Sequence, residues 1–148
     1  MDTRMRARQT REASIGWMIQ RLARRLDDAM NARLAEYGLN LQQFAVMMTV
    51  LEHGSLTQAE IGRRFAMPAY AISRAIDGLE QAGLIAREAH PTSRRAHQIT
   101  ATEEGLALAP ALFDLVGQIN ADLTQDLGGD DADRLRRLLS ETMKGTAL

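Results

Sequence analysis

The chain has 148 residues, 45% apolar and 25% charged, with a formal net charge of −1, which is the length of one ordinary domain and excludes a polyanion binder acting by bulk charge. It contains no cysteine, which excludes disulfides, thiol redox chemistry and Cys-ligated zinc. The charge is unevenly placed: through Thr100 fourteen arginines stand against ten acids, and from Ala101 onward four bases stand against nine acids, as suits a chain with only one part meeting phosphates.

Residues 1–13 carry Arg4, Arg6, Arg8 and Arg11 without apolar periodicity. They read as a flexible arm: a solvated tail, an added phosphate contact, or a strap on a partner subunit. From Ser14 to about Glu36, the residues Ile15, Met18, Ile19, Leu22, Leu26, Ala29, Met30 and Leu34 recur at helical spacing and predict a long amphipathic helix. Its basic side and Trp17 admit a membrane-surface reading, but Asp27, Asp28 and Glu36 would oppose anionic lipid, so packing against other helices is expected. No apolar run reaches ~18 residues and the N-terminus has no apolar stretch, so a soluble cytoplasmic protein without a membrane partner is expected.

Gly38 stops that helix and Asn40 can cap the next, Leu41 to His53, which is apolar nearly all round and therefore central. His53 reads as a helix-terminal side chain rather than a metal ligand. Thr57, with Glu60 three residues on, reads as a capping box opening a short helix with Ile61 and Phe65 inside. A turn is expected at Ala66-Met67-Pro68, with Pro68 as the first residue of a second helix running to about Ala82. Ile72, Ala75, Ile76 and Leu79 are its buried stripe, which leaves Ala69, Tyr70, Ser73, Arg74 and Asp77 on the other side, and Gly83 ends it.

A helix pair of this kind can place its second member in a major groove, where small residues permit close approach and Ser73 and Arg74 reach base edges or phosphates. The amides at its start also favour phosphate. Leu84–Glu88 and Ala96–Thr100 read as two strands joined by a polar loop carrying Pro91, Arg94 and Arg95. Arginines at such a tip can enter a minor groove; the alternative is a solvated charged hairpin.

Ala101 to about Leu127 reads as a long helix opened by Thr102, with one seam of Leu106, Ala109, Leu112, Phe113, Val116, Ile119, Leu123 and Leu127 and a kink at Pro110. Asp130-Asp131 is expected to cap a last helix, with Leu135, Leu138, Leu139 and Met143 inside. One protomer has little to cover these seams, so an intertwined homodimer is expected.

The sequence resembles the multiple-antibiotic-resistance regulator (MarR) family from about Ile15 to Met143. The resemblance is carried by the order and spacing of Gly38-Leu39-Asn40-Leu41-Gln42-Gln43-Phe44, Leu56-Thr57-Gln58-Ala59-Glu60-Ile61, Ile72-Ser73-Arg74-Ala75-Ile76-Asp77-Gly78-Leu79-Glu80, Gly83-Leu84-Ile85 and Ala101-Thr102-Glu103-Glu104-Gly105. It implies a mainly α fold of six helices with a small β-hairpin wing: a winged helix-turn-helix over 37–101 and a helical dimerisation region over 14–36 and 102–148. It further implies a dimeric transcription regulator, usually a repressor, often released by a small aromatic or phenolic ligand. By position Ala69, Tyr70, Ser73 and Arg74 match the family's reading-helix contacts and Arg95 its wing-tip arginine. Ser93 replaces the acid that usually orients that arginine, and Gly78 stands where a basic residue is frequent.

The expected function is thus binding of a pseudo-palindromic duplex operator through Ala69, Tyr70, Ser73, Arg74, Arg94 and Arg95. The alternative is a winged helix used for protein contact, with Tyr70 as anchor. His53, His90 and His97 lack metal-site spacing and no phosphate loop or nucleophile motif is present, so neither enzyme activity, metal nor cofactor is expected. Trp17, Met18, Phe44, Met47 and Phe113 are candidates to line an effector pocket, or are ordinary core.

Overall fold

The computed structural model describes residues 2–65 and 67–146. In chain order these form α1 (Thr3–Glu12), α2 (Ile15–Leu34), a 3-10 turn (Ala35–Tyr37), α3 (Leu41–His53), β1 (Ser55–Thr57), α4 (Gln58–Arg64), α5 (Ala69–Gln81), β2 (Ile85–Ala89), β3 (His97–Ala101), α6 (Glu103–Leu123) and α7 (Gly129–Met143). The fold is mainly α with a small antiparallel sheet, as expected. Two additions correct the count of six helices and a two-stranded wing.

The first addition is α1. Its Arg, Met, Ala and Gln residues are good helix formers, and the Arg8 guanidinium donates to Glu12 one turn on at 2.8 Å. No residue of α1 is buried, which is why apolar periodicity could not signal it; propensity favours the helix without sufficing for one of ten residues. The second is β1, whose three residues read as a helix lead-in. It pairs with β3 in the register Ser55↔Thr100, Leu56↔Ile99, Thr57↔Gln98, giving a sheet of order β1-β3-β2. Leu56 and Ile99 are both buried at this pairing.

Capping chemistry sets most boundaries where the residues suggest. The Ser14 hydroxyl accepts from the Trp17 amide at 3.1 Å and starts α2. Gly38 takes a left-handed φ of +70° after the 3-10 turn. Capping boxes open α3 (Asn40 with Gln43) and α4 (Thr57 with Glu60). After α5, Gly83 at φ +76° and the Leu84 amide donating to Leu79 O at 3.0 Å close a Schellman turn. Pro68 is the N-cap of α5 rather than its first helical residue, one position from the expectation; Ala66 of the same turn lies outside the described residues.

One apolar core joins these elements: Met30, Leu34, Val46, Met47, Val50, Ile61, Ile72, Ile76, Leu79, Ile85, Ile99, Leu112, Leu115 and Ile119 belong to a single buried cluster. α3 runs through it, as its apolar circumference predicts. α6 is opened by Thr102, whose hydroxyl accepts from the Gly105 amide at 3.1 Å and donates to Gly83 O at 2.6 Å. A Cβ on Gly105 would clash with the Leu84 carbonyl oxygen and come within 2.9 Å of Met47 Cε. The start of α6 is therefore seated directly on the turn that ends α5.

α6 runs through Pro110 to Leu123, and its apolar residues do not form the single seam expected. Ala109, Leu112, Leu115 and Ile119 are buried, whereas Leu106, Phe113 and Leu123 are exposed. The first set packs inside the protomer and the second faces away from it. α6 is also, among the described residues, long and apolar enough to cross a membrane by length and composition. That departs from the expectation of no such stretch, but the buried stripe is that of a helix packing on protein.

α2 and α6 run antiparallel. Arg33 donates to Gln118 at 2.5 Å, and Arg25, Leu26 and Ala29 line one cleft with Ile119, Asp122, Leu123 and Gln125. Residues Ile15–Leu22 of α2 thus overhang the end of α6, with Ile15, Met18, Ile19 and Leu22 exposed along one stripe. α7 starts at Gly129 with Gly128 as its N-cap, so Asp130 and Asp131 lie in its first turn rather than capping it; it has no buried residue, and Leu138, Leu139 and Met143, expected inside, are exposed.

Candidate nucleic-acid interface

α5 is held by its inner face and open on its outer one. Ala71, Ile72, Ala75, Ile76 and Leu79 are buried, while Ala69, Tyr70 and Arg74 are exposed and Ser73 is half-buried. All four expected reading residues therefore belong to the solvent side of a helix fixed to the core. Tyr70 is 67% exposed, and the Arg74 guanidinium lies 5.9 Å from its ring centroid, a cation–π contact that holds the arginine along the helix surface. Pro68 gives α5 no side-chain cap, and its carbonyl accepts from the Ala71 amide at 3.0 Å.

Gly78 has a packing reason. A Cβ there would collide with Gln43 Nε2, and the same Gln43 side chain accepts from the Asn40 amide at 3.0 Å to close the α3 capping box. A basic residue at position 78 would have to displace it.

β2 and β3 pair from Ile85↔Ala101 to Ala89↔His97, each one residue later than expected, and present loop 90–96 at their far end. His90 Nδ1 accepts from the Thr92 amide at 3.2 Å and Ser93 Oγ from the Ala96 amide at 3.3 Å. Ser93 thus shapes the loop backbone, although it cannot supply the charge an acid would. Arg94 and Arg95 are exposed and, among the described residues, are in no ion pair.

The residue that sequence reading missed is Arg87. From β2 its guanidinium donates to Asp77 at 2.6 Å and to Glu80 at 2.8 Å, both on α5, and it is 23% exposed. The hydrogen bond to Asp77 is the main reason its pKa is raised above the ordinary guanidinium value, against some desolvation and with help from the charge of Glu80. The clamp joins wing and reading helix and neutralises the two acids nearest the reading face. Asp77 and Glu80 at helical i, i+3 spacing were the available signal, but nothing in the sequence named their partner.

The five pocket candidates are spread out. Met47 is fully buried, Phe44 packs half-buried against the core, and Trp17, Met18 and Phe113 are exposed. Trp17 is flanked by Arg11 and Arg21, whose guanidinium carbons lie 5.5 and 5.1 Å from its centroid. The clefts it lines involve α1 and the first turns of α2, not Met18, Phe44, Met47 or Phe113. Beside the start of α5 there is a cleft of about 420 Å³ between α4 and α5, lined by Gln58, Ala59, Gly62, Arg63, Met67, Ala69 and Ile72.

This arrangement is shared with known proteins. Residues 37–96 match the family model described as MarR family. The chain is 32% identical over 96 residues to the HTH-type transcriptional regulator MhqR of Bacillus subtilis, covering 65% of this chain and 66% of that one. It is 27% identical over 130 residues to an HTH-type transcriptional repressor of Mycobacterium tuberculosis, covering 88% and 94%. The reduced form of Escherichia coli MarR superposes with a TM-score of 0.81 at 25% identity, covering 88% of this chain and 96% of that one. An E. coli MarR variant complexed with operator DNA superposes at 0.76 and 24% identity, covering 90% and 96%. With its helix pair, its wing and its long flanking helices in the same order, the chain belongs to the MarR family.

Proposed function

We propose that this protein is a DNA-binding transcription regulator of the repressor type that acts as a homodimer on a pseudo-palindromic operator. The observation that carries the reading is the open Ala69/Tyr70/Ser73/Arg74 face of a helix anchored to the core and clamped through Arg87 to a wing ending in Arg94 and Arg95. In this reading α5 enters the major groove and loop 90–96 the minor groove. Residues 14–36 and 102–148 supply the dimer contacts, and twofold symmetry places two reading helices about 34 Å apart, one turn of duplex. The exposed apolar residues of α2, α6 and α7 support the dimer. Release by a small aromatic or phenolic ligand is supported by family membership, not by a cleft formed from Trp17, Met18, Phe44, Met47 and Phe113.

The deciding experiment is selection of duplexes from a random pool by the purified protein, followed by anisotropy titration. A selected site with two half-sites about 10 bp apart is expected; absence of duplex binding at low salt removes the proposal. In that event the exposed Tyr70 favours a winged helix used for protein contact. Thermal-shift and release assays with aromatic acids test the effector, and a panel without either effect removes that part.

A further inference from the structure

We infer that α1 is an electrostatic strap that docks on the acidic α6–α7 corner of a second copy of the chain, an inference that rests on the dimer proposed above. Residues 2–25 carry seven arginines against two acids, whereas residues 114–133 carry six aspartates and no base. Among the described residues no ion pair joins these two sets: Arg8 and Arg11 pair only with Glu12, next to them in α1.

A ten-residue helix with no buried residue has little to hold it in water on its own, because isolated helices below about 12–15 residues are marginal. Its position narrows what can cover it. α1 is tied to α2 through Ala13-Ser14 and by the Arg11 guanidinium, 5.5 Å from the Trp17 ring centroid. It therefore lies beside the overhanging stripe of Ile15, Met18, Ile19 and Leu22, and whatever covers that stripe is within its reach.

Two anionic occupants exist for an arginine helix, a duplex and a protein surface. The duplex is disfavoured by distance: α2 is anchored to the core at Met30 and Leu34, and the helix before them puts its N-terminus about 22–29 Å away from that anchor. A second copy offers the matching surface. Its α6–α7 region presents exposed Leu123, Leu127, Leu138, Leu139 and Met143 next to Asp122, Asp126, Asp130 and Asp131, whereas Asp133 is already paired with Arg136 one turn on in α7. In an isologous pair, apolar stripe meets apolar face and arginine helix meets acidic corner, twice over.

The test is a charge swap read by oligomeric state. Variant one is Arg4→Glu with Arg8→Glu; variant two is Asp122→Arg with Asp126→Arg. Each alone places like charges together at both contacts of its homodimer, whereas the mixed pair restores attraction at both. Analytical ultracentrifugation of the full chain is expected to give a dimer, and each variant alone a dimer at least tenfold weaker at low salt. Mixing is expected to give a heterodimer favoured at least tenfold over the statistical proportion, a preference that fades near 1 M salt, where the Debye length is about 3 Å. Stable dimers that mix statistically overturn the strap while leaving the dimer standing. A monomeric full chain overturns the dimer and the strap with it. If variant one keeps the dimer constant but loses duplex affinity with a shallower salt slope, α1 is a phosphate contact and the strap is wrong.

Discussion

Replacing Arg87 with methionine keeps much of its stem and removes its charge. Its partners are at 2.6 and 2.8 Å, but Asp77 and Glu80 are 54% and 43% exposed. Charge-assisted hydrogen bonds reach ~1.5–3 kcal/mol where water is excluded, and ion pairs with open partners fall to ~1 kcal/mol or less. Two half-open contacts then give ~1.5 kcal/mol together, which for a chain of this size lowers Tm by about 3–6 °C. A base whose folded pKa is raised contributes stability that is complete below its unfolded pKa and is lost as pH rises through the folded one. On the arginine's side, the Tm difference therefore stays flat up to strongly alkaline pH. Loosening the wing and baring two acids beside the reading face should weaken duplex affinity about tenfold, or ~1.4 kcal/mol. The salt slope should hold, since Arg87 is not assigned a phosphate. Scanning calorimetry at matched protein concentration and anisotropy with a selected duplex read the two effects. Unchanged Tm together with unchanged affinity would refute the clamp, and a slope reduced by ~0.9 would make Arg87 a phosphate contact instead.

Arg95→Ala should weaken all duplexes about equally and reduce the log–log salt slope by ~0.9, whereas Ser73→Ala or Arg74→Ala should change which bases are preferred; anisotropy across a salt series and a small duplex library separates them. Gly105→Ala places a methyl against the Leu84 carbonyl and Met47, and should cost about 1–3 kcal/mol in urea unfolding; a shift below ~0.5 kcal/mol would mean the α6 start is less tightly seated than described. Thr57→Ala removes the hydroxyl that accepts from the Glu60 amide at 3.1 Å and should cost about 1 kcal/mol, read by the same assay.

Elements whose boundaries are written in side-chain chemistry were legible beforehand. Asn40, Thr57, Gly38, Gly83 and Thr102 each act locally, and the stripe Ile72, Ala75, Ile76, Leu79 fixes which face of α5 is left for Ala69, Tyr70, Ser73 and Arg74. What failed depends on partners far along the chain. β1 is three residues long and is a strand only because β3 lies beside it. Arg87 looks like any strand arginine until α5 is folded next to it, and Gly78 reads as a lost phosphate contact until Gln43 occupies the space. α6 misled because its circumference is broadly apolar: the phase of its buried side is set by what it packs on, so Leu115 went inside while Phe113 stayed out.

Among the described residues, no polar or charged side chain is fully buried. The hydrophobic interior and the ionic exterior can therefore be interrogated separately. Raising ionic strength will erode contacts made by guanidinium and carboxylate groups at the periphery, the Arg87 clamp among them, without asking any hidden ion to change its state, so the apolar interior outlasts them in concentrated salt.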